Sequence, residues 1–177
     1  MKKSPFRFSI FPLILLLCFT FSCQPQAEEA AEETEPAVDV EADIAAINEI
    51  WNQYALGVNT GDLELWISLW TDDGIQMAPG APAVIGKEQI RAKYESIFSQ
   101  FIFTMAITNN EVRVAGDLAF SRGTYRASIT PTAGGETTEI AGKYLTILER
   151  QADGSWKIAR DCFNSNVPPQ TVSDETQ

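Results

Sequence analysis

Histidine is absent from all 177 residues, and its absence removes a large block of chemistry. Triads built on an imidazole base are excluded, as are metal centres that draw on imidazole nitrogen. Cysteine is scarce: Cys18 and Cys23 fall near the start, leaving Cys162 alone in the body of the chain. An intradomain disulfide is therefore impossible, and Cys162, with no imidazole to deprotonate it, reads as an inert buried thiol. The adjacent acids Asp72 and Asp73 read as turn chemistry, so neither a metal nor a cofactor is expected. Basic residues are few, 13 against 24 acids, and no basic patch points to nucleic acid.

The acids are unevenly spread. Residues 24–43 hold eight of them and no base, with Pro25 and Pro36 and little apolar bulk, which reads as a solvated spacer merging into a helix near Asp39. Residues 44–168 carry fourteen acids and ten bases, an ordinary balance for a folded domain, so the formal charge of −11 reflects the spacer.

Long apolar runs are missing too, with one exception. Phe8 to Phe21 is almost unbroken, follows Lys2, Lys3 and Arg7, and has the layout of a secretory signal. It is shorter than the roughly 20 residues a spanning helix needs. Ser22-Cys23 then places a small residue before a cysteine, the pattern of a bacterial lipoprotein lipidated on Cys23; cleavage near Ala27 without a lipid is the alternative. The expected organisation is a signal peptide over 1–22, a lipidated cysteine and acidic linker over 23–40, one domain over 41–168 and a frayed tail over 169–177. The expected address is the cell envelope, at a membrane surface through the lipid, or secreted without it.

Within the domain the apolar period changes once. Ile44, Ile47, Trp51, Tyr54, Ala55 and Val58 recur at helical spacing. Gly61-Asp62 breaks that helix and caps a short second one bearing Leu63, Trp66, Leu69 and Trp70. Asp72-Asp73-Gly74 turns into a brief strand, Ile75 to Ala78, and a third helix from Gly86 carries Ile90, Tyr94, Ile97, Phe98 and Phe101. From Phe103 onward the period is two. Strand signals cover Phe103 to Ile107, Val112 to Val114, Leu118 to Thr130, Thr138 to Arg150 and Trp156 to Asn164. Helices followed by hairpin-joined strands predict an α+β fold, with three helices packed on a curved, mainly antiparallel sheet.

Several motifs in this order resemble the nuclear transport factor 2-like, or ketosteroid isomerase-like, superfamily, and within it SnoaL-like domains of the SgcJ/EcaC type. They are Trp51-x-x-Tyr54, Asn59-Thr60-Gly61-Asp62, Trp70-Thr71-Asp72-Asp73-Gly74, Gly86-Lys87-Glu88-x-Ile90, Ser121-Arg122-Gly123-x-Tyr125, Gly142-Lys143-Tyr144 and Asp153-Gly154-x-Trp156-Lys157-Ile158-x-Arg160-Asp161. The resemblance implies a conical cavity between helices and sheet, and often a homodimer paired through the open sheet face. It implies activities as varied as isomerisation, cyclisation, epoxide hydrolysis, dehydration and mere assembly.

Carried over residue by residue, the resemblance makes Tyr54 the oxyanion donor of the isomerases. It puts their base at Ala78, where a methyl group cannot abstract a proton, and their second donor at or beside Lys143, so that activity is not carried over. The cyclases place an acid on the later strands, where Asp161 is the one available. Alternation sorts Ile158, Arg160 and Asn164 onto one face and Asp161 onto the other. If the Ile158 face lines the cavity, Arg160 and Asn164 point in and Asp161 points out, unless a bulge reverses the sense. The alternative for Arg160-Asp161 is a structural ion pair at the sheet or dimer face. Trp51, Trp70, Met77, Phe98, Met105 and Tyr144 line a pocket or are plain core, and Tyr125 and Lys143 are polar tips on central strands. Catalytic candidates are thus Tyr54, Lys143 and Asp161; ligand-binding candidates are Tyr54, Trp70, Met77, Met105, Tyr125, Arg160 and Asn164. Three readings stay open: a binding module for a small apolar or aromatic ligand, an enzyme of cyclase, isomerase or dehydratase type, and a dimerising adaptor.

Overall fold

A computed structural model describes residues 39–166. The signal segment, Cys23, most of the acidic linker and the C-terminal tail lie outside the described residues.

Helix α1 spans Val40–Thr60. The Asp39 carboxylate accepts from the Ala42 N–H at 3.0 Å and caps its start, and Gly61, at φ 66°, ends it in the left-handed conformation that glycine adopts without strain. Asp62 caps the short α2, Leu63–Ser68, in the same way. Strand β1, Trp70–Met77, begins earlier than the sequence pattern suggests: Trp70 is a strand residue, fully buried. A two-residue strand β2, Val84–Ile85, precedes α3, Lys87–Gln100. The long strands follow: β3 Phe101–Ala115, β4 Leu118–Pro131, β5 Thr138–Arg150 and β6 Trp156–Ser165. The two short strand signals before Ala115 are one strand whose register slips between Asn109 and Glu111.

The six strands form one sheet in the order β2-β1-β6-β5-β4-β3. All neighbours are antiparallel except β1 and β6. Helix α1 lies against β3 and β6, and α3 against β1. The mixed α+β architecture expected from the sequence is therefore present, with a curved sheet under three helices.

The core starts under the helices. Trp66, Trp70, Ile47, Ile90, Leu148 and Ile158 are fully buried. Trp66 stacks on Tyr94 of α3 with ring centroids 4.0 Å apart, tying α2 to α3. At the other end, Asp43 in the first turn of α1 takes both arms of the Arg150 guanidinium, at 2.7 and 2.5 Å, and the Trp156 indole N–H at 3.0 Å. Arg150 also lies over the Trp156 ring, 4.5 Å from its centroid. This cluster clamps the start of α1 to the β5–β6 hairpin.

Two Gly-x-Tyr motifs shape the sheet between these ends. In the β4–β5 register Gly123 faces Tyr144, and Tyr125 faces Gly142. Each phenol ring lies over the opposite glycine: a Cβ at Gly142 would stand 2.4 Å from the Tyr125 ring, and one at Gly123 2.7 Å from the Tyr144 hydroxyl. Only glycine leaves room for both rings on this face.

Candidate functional site

The helices do not pack solidly on the sheet. Between them lies a cavity of about 440 Å³, a size suited to a small organic molecule. Its walls are apolar and aromatic: Trp51 and Val58 from α1, Ile97 and Phe98 from α3, Phe103 and Met105 from β3, and Phe163 from β6. The polar exceptions are four tyrosines, Thr138 and one acid, Asp161.

Asp161 reaches the cavity because β6 carries an extra residue. Along β5 and β6, Leu148 pairs with Ile158 while the adjacent Ile147 pairs with Arg160, so Ala159 has no partner across the ladder. A bulge of this kind shifts every later side chain by one face. The expected orientation is therefore reversed: Ile158, Asp161 and Phe163 share the inner side, and Arg160 and Asn164 turn outward. Arg160 bonds Asp73 at 3.0 Å on the outside, so it does form an ion pair, but with Asp73 rather than with Asp161.

The carboxyl of Asp161 is 3 % exposed and meets the Thr146 hydroxyl, which donates to Oδ1 at 2.6 Å. Thr146 is its direct neighbour across β5–β6 and is fully buried. Burial pushes the acid up to about 6, only partly opposed by that hydrogen bond. Asp161 is thus held much closer to neutral pH than an ordinary carboxyl.

The four phenols differ in what their protons do. Tyr144 donates to Asn109 Oδ1 at 3.2 Å within a buried chain in which the Trp51 indole donates to Ser121 at 2.8 Å and Ser121 donates to the same Asn109 oxygen at 2.7 Å. Tyr125 donates to the Asn164 carbonyl at 3.4 Å. Tyr94 instead accepts, from the Gln76 amide at 2.7 Å. Tyr54, buried against Trp66 and Trp51, sits close enough to Tyr94 for each to influence the other's titration. Burial raises all four above the usual phenol range, Tyr144 to about 12, and the charge of Asp161 adds to the rise in each. They remain protonated donors at any physiological pH.

Of the expected site residues, Tyr54, Tyr125, Met105 and Asp161 line the cavity. The others do not. Trp70 is sealed in the core behind the wall, and Met77 is exposed at the end of β1. Lys143 points to the outer sheet face and donates to Asn166 Oδ1 at 3.0 Å. Asn164 lines a separate outer depression with Lys143, Leu145 and Cys162. The Ala159 bulge explains the outward turn of Arg160 and Asn164, and strand alternation along β5 that of Lys143. Tyr94 and Gln76 were not singled out by the sequence. The hydroxyl in the apolar stripe of α3 was a usable signal for Tyr94; a glutamine within a brief strand carries none.

A curved sheet wrapped by three helices around a side-chain-lined cone defines the nuclear transport factor 2-like fold. Within that superfamily the SnoaL-like domain profile matches residues 40–160, and the chain belongs to that family. Among solved structures it is similar to a ketosteroid isomerase-like protein from Erwinia carotovora atroseptica SCRI1043, at 35% identity over 71% of this chain and 98% of that one, with a TM-score of 0.65. A conserved protein from Planctomyces limnophilus DSM 3776 is 28% identical over 71% of this chain and 98% of that one, TM-score 0.66. Hexachlorocyclohexane dehydrochlorinase LinA-type3 from Novosphingobium barchaimii LL02 shares the fold at 23% identity, covering 75% of this chain and 92% of that one, TM-score 0.66. Comparison with curated protein sequences finds no match.

Proposed function

We propose that this domain is an enzyme in which Asp161 moves a proton to or from a small, neutral, largely apolar molecule held in the cone. One observation carries the reading: a carboxyl buried to 3 % faces an apolar cavity and is poised, at about 6, to be either proton donor or acceptor. General acid–base work is most effective when the group titrates near the operating pH. Tyr54 and Tyr94 supply hydrogen bonds where negative charge would develop on the ligand. No lysine or arginine lines the cavity among the described residues, so an anionic ligand would meet Asp161 without a counter-charge. Isomerase, dehydratase and cyclase reactions all use such a proton transfer. The ketosteroid isomerase-like relative supports this class, while Ala78 means the acid works from β6 rather than from the end of β1.

A second reading, a binding module without turnover, is favoured by the cavity having a single carboxyl and no other group that titrates near neutral pH. Deuterium uptake separates the two. The protein is incubated in D₂O with a small-molecule extract of cells, and neutral compounds are scanned for incorporated deuterium. Uptake catalysed by the wild type and lost in Asp161→Asn is expected. A ligand retained in native mass spectra, with no uptake by any compound, would leave the binding module.

We further propose that the chain is exported and held at a membrane by a lipid on Cys23, on the support of its N-terminal pattern alone. Intact mass of the mature protein, with and without Cys23→Ser, tests this. A homodimer through the outer sheet face is proposed on the support of Leu145 and Ile147, which lie exposed there at 53% and 41%.

A further inference from the structure

Behind the cavity wall lies a second polar group, the side chain of Gln76. It is fully buried, and its strand neighbour across β1–β6 is Asp161 itself. An amide sealed in this way must satisfy both its ends, and it does. Its nitrogen donates to the Tyr94 hydroxyl at 2.7 Å, and its oxygen accepts from the Lys93 ammonium at 3.3 Å. An ammonium has donors only, so the amide oxygen has to face Lys93. The NH₂ end then has to face Tyr94. A phenol has one proton, and an amide nitrogen cannot accept it.

We infer that Lys93 and Gln76 are positioning residues that turn the Tyr94 hydroxyl, so that its single proton is offered to the cavity and not to the protein wall. Tyr94 lines the cavity, whereas Gln76 does not. The half-buried Lys93, 5.9 Å from the Tyr94 ring centroid, thereby sets the polarity of a group inside. Were the amide reversed, Tyr94 would donate to its oxygen and become an acceptor toward any ligand. The remaining neighbours of Tyr94 are the rings of Trp66 and Phe98 and the Tyr54 phenol, whose hydrogen bond lowers the Tyr94 titration and so is donated to the Tyr94 oxygen, leaving the Tyr94 proton free. The inference rests on the proposed proton transfer only for its consequence in turnover, where Tyr94 becomes the donor that complements Asp161.

The test needs no substrate. Tyr94 is replaced by 3,5-difluorotyrosine, whose phenol titrates near neutral, and its ionisation is followed by fluorine NMR. A phenolate can only accept, so the Gln76 N–H should stabilise it. Gln76→Leu is expected to raise the titration by about one to two pH units, the worth of one hydrogen bond to an anion. Gln76→Met is a second amide-free variant should Leu disturb folding. Lys93→Met is expected to raise it too, and by clearly less in the Gln76→Leu background, where only the direct attraction of the ammonium near the ring remains to be lost. An unchanged or lowered titration in both amide-free variants overturns the inference. So does a Lys93→Met shift that is absent in the parent or persists undiminished without the amide. Because deuterium uptake is read separately, failure of the enzyme reading and failure of this one are distinguishable.

Discussion

If Asp161 is held proton-rich by burial, the fold bears a measurable cost for keeping it, and Asp161→Asn should recover that cost. The sign follows from linkage. The folded value, about 6, lies above the ordinary 3.8, so between about pH 4 and pH 6 the folded protein binds more protons than the unfolded chain. Stability contributed by the neutral acid is fully present below the unfolded value and is lost as pH rises through the folded one. The displacement is about two pH units, which at about 1.4 kcal/mol each gives about 3 kcal/mol. Asparagine has the same shape, and its oxygen can still accept from Thr146, so little else should change. All four tryptophans are buried, so urea titration followed by their fluorescence reports global unfolding. The variant should match the wild type near pH 4 and exceed it by about 3 kcal/mol at pH 7.5. A gap that does not vary with pH, or a variant less stable at pH 7.5, would refute the argument and place the carboxylate in a better-solvated setting. Such a cost at one side chain is the familiar mark of a site kept for chemistry.

Three further outcomes are expected. Asp43→Ala leaves Arg150 and the Trp156 indole without their shared acceptor and should cost about 3 kcal/mol in urea denaturation. Because Arg150 holds the Asp43 carboxyl below its usual range, the contribution of this clamp should fade as pH falls toward and below the ordinary value of 3.8, opposite in sign to Asp161. Tyr54→Phe removes one hydroxyl from the cavity and should reduce deuterium uptake several-fold while the protein remains folded by circular dichroism; unchanged uptake would remove Tyr54 from the mechanism. Leu145→Glu places a charge on the outer sheet face and should shift sedimentation from dimer to monomer, with tryptophan emission unaltered.

The helices and three of the four long strands were legible because their apolar periods are long and their ends are marked, whereas β3 read as two pieces because its alternation slips between Asn109 and Glu111. Asp39, Gly61 and Asp62 punctuate α1 and α2, and Gly116 and Gly154 mark two hairpin turns. Which way the last strand faces was not legible. Ala159 has no left-handed backbone and no unusual side chain to announce a bulge, and from it onward strict alternation gives the wrong face. The misplacement of Arg160, Asn164 and Asp161 has that single cause. Trp70 was misread for a different reason: an aromatic in a helical stripe carries no mark of whether it lines a void or fills one. The Lys93–Gln76–Tyr94 relay joins residues from a strand and a helix through side-chain tips, and no local pattern records such a meeting.

The unpartnered alanine in β6 gives the cone an economical way to change its chemistry. Were Ala159 instead to pair with Ile147 as an ordinary rung, regular pleating would swing the guanidinium at 160 inward and expel the carboxyl at 161, with every side chain retained. An interior that handles protons would become one that attracts anions. In this architecture the way one strand pairs with its neighbour governs reactivity as firmly as the identity of the groups it bears.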